Sequence, residues 1–317
     1  MKTFFSLMAA VLALSATSVL AQEKLKYGSA VKFSPQYYLP VAAAEERGIF
    51  KKNGVSVEWF PSNSGTDLQR AFAANAITIA SSSAGADILS IGRGVPIVIL
   101  ASLQATDDFS VWVNPKGRIQ KPQELKGAKL GVSRFGGLEH AYGQLVARQL
   151  GLAKDVQFIS TGGIKESLAV LVTGSIDGVV LTPGQMIELK LQGRVKELLD
   201  VINYLPKPWA SYTVVARKDF VQKEPDMVRR IVRSIIEANR YIMSKEGQAW
   251  TIAKMRQISN YSPEGAKLIY ATLALSQDGK MERQAVTNLS NFMVEYGLMK
   301  AGEVPPLDSI INDTFVR

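Results

Sequence analysis

Four short segments hold the side chains in this sequence that could do chemistry. Ser133-Arg134-Phe135-Gly136-Gly137 is the sharpest of them. Its glycines let backbone amides approach a bound group closely, and a helix beginning after them favours negative charge. Arg134 adds a planar, permanently charged fork suited to a carboxylate or sulfonate. Ser81-Ser82-Ser83-Ala84-Gly85 offers hydroxyls that either cap a helix or hold a polar ligand. Lys32-Phe33-Ser34-Pro35-Gln36-Tyr37-Tyr38 brings aromatic faces for a planar solute. Adjacent helix positions point apart, so one of its two tyrosines is expected in the core. Thr182-Pro183-Gly184 completes the set.

Residues for bond-breaking chemistry are missing. His140 is the single histidine, and the chain has no cysteine. Disulfides, thiolate metal sites and cysteine nucleophiles are therefore excluded, and no multi-histidine metal cluster can form. Four positions beyond Gly136, His140 reads as a partly buried structural residue rather than a general base. Glu139 beside it reads as a helix-start charge favoured by the dipole. Gly92-Arg93-Gly94 lacks the pattern of a phosphate loop. We expect no catalytic residue, no cofactor and no metal.

The elements around these turns alternate strand and helix, which predicts a largely parallel sheet flanked by helices. Strands are expected over 25–31, 55–59, 77–80 and 97–101, with helices over 36–47, 67–74 and 84–91 between them. The pattern restarts with strands over 109–113, 129–132, 156–159 and 178–181 and helices over 138–150, 164–173 and 185–191. At an offset of about 99 residues the halves form a weak internal repeat, in which Ile77 falls on Ile176 and Gly85 on Gly184. A strand over 212–216 then returns, and the remainder reads as helical, with Val228, Ile231, Val232, Ile235 and Ile236 on one face. The fold class is thus α/β in two lobes. We assign residues 22–109 with 213–317 to the first lobe and 110–212 to the second. Asp107-Asp108-Phe109 and Trp209-Ala210-Ser211 would form a two-segment hinge. In such open sheets ligands bind outside the carboxyl ends of the strands, where all four turns fall.

The first 21 residues read as an address. Lys2 precedes an apolar run over 4–14, and Ser18-Val19-Leu20-Ala21 sets small residues before a cut. The run is shorter than the roughly 20 residues a membrane span requires, so a cleavable signal peptide and a chain that does not span the membrane are expected. The charge of +9 is scattered rather than clustered, which argues against a nucleic-acid partner.

Three longer runs carry a family resemblance: 41–54 (Val-Ala-Ala-Ala-Glu-Glu-Arg-Gly-Ile-Phe-Lys-Lys-Asn-Gly), 125–134 (Leu-Lys-Gly-Ala-Lys-Leu-Gly-Val-Ser-Arg) and 215–220 (Val-Ala-Arg-Lys-Asp-Phe). With Leu171-Val-Thr-Gly-Ser-Ile-Asp177, they make the chain resemble the nitrate/sulfonate/taurine-type, thiamine-pyrimidine-like solute-binding proteins of ABC transporters. The resemblance implies a type II periplasmic binding-protein fold with ligand in the cleft between lobes. It implies a monomeric periplasmic receptor for a small solute, with an ABC permease and its ATPase as partners. The family's contact loops correspond here to Phe33 and Tyr37, Ser82 and Ser83, Ser133, Arg134, Phe135 and Gly136, and Thr182. A sulfonate, an aromatic carboxylate or a pyrimidine all remain open as the solute. Asn75-Ala-Ile-Thr78 departs from the family's usual Gly-x-x-Asp turn. Synthases of thiamine pyrimidine share the fold, but they use iron-binding cysteines that this chain lacks. A sensory module on the same fold is the third reading.

Overall fold

The computed structural model describes residues 24–31 and 34–316. The expected signal peptide and Phe33 lie outside the described residues. The first half lays down β1 (Leu25–Ser29), α1 (Pro35–Glu46), α2 (Ile49–Lys52), β2 (Val57–Pro61), α3 (Gly65–Ala73), β3 (Ile79–Ser83), α4 (Ala84–Gly92) and β4 (Ile97–Gln104). The second lays down β5 (Ser110–Val113), β6 (Lys129–Val132), α5 (Leu138–Gln149), β7 (Gln157–Ser160), α6 (Ile164–Val172), β8 (Gly178–Leu181), α7 (Pro183–Leu191) and β9 (Lys196–Asp200). The chain returns through β10 (Tyr212–Arg217) into α8 (Lys218–Lys223), α9 (Pro225–Ile242), α10 (Lys245–Ser259), α11 (Pro263–Thr272), α12 (Arg283–Glu295) and α13 (Leu307–Ile310).

These strands form two five-stranded sheets of the same plan, β2-β1-β3-β10-β4 and β7-β6-β8-β5-β9. In each, three parallel strands meet one antiparallel strand from the other side of a crossover: β10 pairs with β3, and β5 with β8. Strands β2 and β7, and β3 and β8, hold equivalent places, which is the repeat read at an offset of about 99. The architecture is that of a two-lobed type II periplasmic binding-protein fold.

The register fixes where the lobes meet. Tyr212 at the start of β10 lies opposite Ser83, the last residue of β3, and opposite Gln104, the last of β4. Ser110 at the start of β5 lies opposite Leu181, the last of β8, and Asp200, the last of β9. Both connections therefore leave and enter at carboxyl ends of strands. The carboxyl ends of the two sheets are turned toward one another across residues 105–109 and 201–211.

The cores follow from the patterning. β4 is buried along its whole length, and its aliphatic run packs under α9, whose buried face is Val228, Ile231, Val232, Ile235 and Ile236. Trp112, wholly buried, anchors a separate cluster with Leu171, Val179, Leu181 and Met186 in the second lobe. Its indole N–H donates to the Leu181 carbonyl at 2.9 Å, so the buried polar atom is satisfied.

The sequence missed β9, because Lys196-Glu-Leu-Leu-Asp200 sits half-buried at a sheet edge and carries charge at both ends. It also read the region after β10 as helical throughout. Helix α11 stops at Thr272, and Leu275 instead makes an antiparallel bridge to Gln104. Ile311 bridges Ile99, so the tail after β10 is not purely helical. Asn75, at the departure from the usual family turn, takes a left-handed φ of 58°, which asparagine tolerates better than most residues. Its side-chain oxygen accepts a hydrogen bond from Arg217 at the end of β10.

Candidate functional site

Three of the four predicted turns directly follow the carboxyl ends of strands: Ser133–Gly137 after β6, Thr182 after β8 and Ser83 at the end of β3. After β6, Ser133, Arg134, Phe135 and Gly136 form an exposed loop into α5. Gly136 has a φ of 69°, and Phe135 is 59% exposed, the most exposed large apolar side chain among the described residues. Arg134 is exposed and makes no ion pair among the described residues. Ser133 is half-buried, with Glu139 3.5 Å from its hydroxyl.

His140 braces this loop. Its Nδ1 accepts the Gly136 N–H at 3.2 Å. Its ring stands edge-on to Phe135 and to Phe158, with centroids 5.3 and 4.9 Å away. Partial burial lowers its pKa, which favours the neutral ring that this acceptor role requires.

After β8, Thr182 precedes α7, and its backbone N–H donates to Gln185 Oε1 at 3.0 Å, so Gln185 folds back on the helix start. After β3, Ser83 takes the equivalent place before α4. Its hydroxyl makes no cap bond to the helix start. Tyr37 packs edge-on to Tyr212 with centroids 5.1 Å apart. Of the two tyrosines, Tyr38 is wholly buried, with its hydroxyl 2.9 Å from Ser259 Oγ, while Tyr37 is 8% exposed. Burial and the nearby carboxylates push the Tyr37 hydroxyl well above its ordinary pKa, so it stays a proton donor.

Ser82 differs from its neighbour. It is fully buried and donates to Asp87 Oδ1 at 2.6 Å. Gln69 Nε2 and Thr213 Oγ1 donate to the same carboxylate at 2.9 and 2.6 Å. Ser82 is therefore committed to a structural network behind the cleft.

The carboxylates at the crossover were not anticipated. Asp108 is half-buried and accepts from Gln36 Nε2 at 3.0 Å and from Tyr212 Oη at 2.8 Å. Burial, then its neighbour Asp107, raise its pKa to about 7. Asp107 is buried, accepts from the Tyr142 hydroxyl and the Asp108 N–H, and has Ser211 beside it. The two connecting segments are thereby tied to each other and to α5. An Asp-Asp pair at a strand end reads in sequence as a solvated turn, and only the crossover makes it an interior one.

Among the described residues no cluster of histidine and carboxylate side chains could hold a metal, and no helix is long and apolar enough to cross a membrane.

Comparison with known proteins finds both binding proteins and synthases. The taurine-binding periplasmic protein of Escherichia coli is 27% identical over 234 residues, covering 71% of each chain. The 4-amino-5-hydroxymethyl-2-methylpyrimidine phosphate synthase of Aspergillus parasiticus is 22% identical over 285 residues, covering 85% of this chain and 82% of that one. Among solved structures, the periplasmic aliphatic sulphonate binding protein of Escherichia coli superposes with a TM-score of 0.78 at 15% identity, covering 92% of both chains. Residues 36–249, from α1 into the start of α10, match the family described as NMT1/THI5 like, and the chain belongs to that family.

Proposed function

We propose that the protein is the periplasmic solute-binding receptor of an ABC importer, exported through a cleavable signal peptide over residues 1–21. The lobes would comprise residues 22–109 with 213–317, and 110–212. The observation that carries this reading is the pairing of equivalent turns: Ser83 before α4 and Thr182 before α7 stand at the carboxyl ends of β3 and β8, which face one another across the crossover. Two helix N-termini directed at one cleft favour an anionic group. Arg134 supplies its counter-charge, while Tyr37 and Phe135 supply aromatic faces. Ser133, Gly136 and Phe33 complete the contact set carried over from the family. Ser82 is proposed as support for Ser83, not as a contact.

Solute capture stabilises the lobes-together state by differential affinity, and the loaded form is what a permease and its ATPase would receive. A sulfonate, an aromatic carboxylate or a pyrimidine fits these groups. The chain acts as a monomer without cofactor, and not as an enzyme. His140 is occupied with Gly136 and two phenyl rings, which supports this over a synthase role despite the synthases among its relatives.

Thermal-shift and calorimetric titration of the mature chain with taurine, alkanesulfonates, benzoate, nitrate and aminopyrimidines tests the reading. Saturable micromolar binding of one class, with compaction in solution scattering, is expected. Absence of binding across all of them would overturn it. Under the receptor reading, His140→Asn weakens binding modestly and abolishes no turnover.

A further inference from the structure

We propose that Glu188 is a latch between the lobes, a carboxylate of the second lobe that caps a helix of the first and governs how readily the two part. The turn between α10 and α11 carries it. Asn260 ends α10 in the left-handed conformation at φ 59° and directs the next residues toward α7. Tyr261 Oη donates to the Gly184 carbonyl at 3.0 Å, and the Ser262 N–H donates to Glu188 Oε1 at 2.8 Å. Behind the turn, the Tyr38–Ser259 hydroxyl pair fastens it to α1.

Ser262 is the N-cap of α11, and its own hydroxyl accepts from the Gly265 N–H at 3.0 Å. The start of α11 is thus satisfied twice, by its own serine and by an anionic group from the opposite lobe. A carboxylate at that end is doubly favourable, as a charge-assisted acceptor and as a partner of the helix dipole.

Two glycines, one on each side, make room for the contact. A Cβ at Gly265 would overlap Glu188 Oε1, and a Cβ at Gly184 would stand 2.8 Å from Tyr261 Oη. Neither has a positive φ, so the backbone does not demand glycine at either place. In a helix such as α11, glycine costs about 1 kcal/mol relative to alanine. Close approach of the other lobe accounts for both.

The latch uses no solute contact, so it adds the same increment to any ligand's residence in the cleft. That role in release rests on the receptor reading; the latch itself does not. Because the chain has no cysteine, Arg194→Cys and Lys267→Cys, both at exposed positions flanking the contact, accept a nitroxide pair cleanly. Electron–electron distance measurement on the mature chain, without added solute, reads the lobe separation. Glu188→Ala and Gly265→Ala are each expected to lower the ratio of short to long distances about tenfold, the scale of a charge-assisted hydrogen bond. The double variant should lie no further out than Glu188→Ala alone. An unchanged distribution in Glu188→Ala, with unchanged circular dichroism, would overturn the latch, whatever the solute titrations show.

Discussion

Thr213 Oγ1 donates to Asp87 Oδ2 at 2.6 Å across 126 residues of sequence. Asp87 opens α4 in the first half of the chain, and Thr213 lies on the strand that comes back from the second lobe. Three donors, Ser82, Gln69 and Thr213, converge on this one buried carboxylate. Replacing Thr213 with the near-isosteric valine leaves the carboxylate short of one. We expect Thr213→Val to destabilise the protein by about 1–3 kcal/mol, read as a lower urea midpoint without a change in slope.

The buried carboxylates give stability a definite pH dependence. Burial raises Asp87 and Asp108 from 3.8 to about 7, and Asp107 is raised as well. Between about pH 4 and 7 the folded protein therefore binds more protons than the unfolded chain, so stability falls as pH rises through that window. Each group contributes at most about 1.4 kcal/mol per pH unit. Urea unfolding at steps from pH 4.5 to 7.5 should show this decline, and Asp108→Asn should flatten it. The exposed carboxylates held low by neighbours, Asp219 and Glu124, act only below this window.

Arg134 and Phe135 are exposed, and truncating them removes little packing. Arg134→Ala should leave the melting temperature within about a degree, since such surface changes lie within about 0.5 kcal/mol. It should weaken an anionic solute on the order of tenfold to a hundredfold, the worth of a charged hydrogen-bonding pair. Calorimetry of Arg134→Ala beside wild type checks this. Equal affinities in Arg134→Ala and wild type would remove the arginine from the site.

Gly143 faces the Phe158 ring, and a Cβ there would lie 2.5 Å from its Cε1. Gly143→Ala must push Phe158 against His140, on which the Gly136 amide rests. A loss of about 1–3 kcal/mol is expected from overpacking, together with weaker solute binding. Gly143→Ala with Phe158→Leu should recover part of both, measured by thermal unfolding and titration.

The sequence made the strand–helix alternation and the positions of the turns readable because hydrophobic period and turn chemistry are local. It revealed His140 as structural for a similar reason: four residues beyond a glycine turn, its ring reaches back to that turn. What it could not show depends on partners far away in the chain. Ser82 and Ser83 are alike in composition, and only the carboxylate of Asp87, shared with Thr213, commits Ser82 to the interior. Asp87, Asp107 and Asp108 look like ordinary helix-start and loop acids until Thr213, Tyr142 and Tyr212 arrive beside them. The edge strand β9 and the two bridges made by Leu275 and Ile311 were lost because their sequences carry no alternation strong enough to mark them.

The place of β10 between β3 and β4 has a consequence for the order in which the molecule can be completed. During synthesis, β3 and β4 emerge more than a hundred residues before the strand that joins them. Until Tyr212–Arg217 appears, each presents an open edge, including the apolar run Ile97–Ala101 of β4. The second sheet needs nothing later than β9, so it can close first. The half that begins the chain is the last to be finished, and a nascent chain shorter than about that point is exposed to strand-edge association in the meantime.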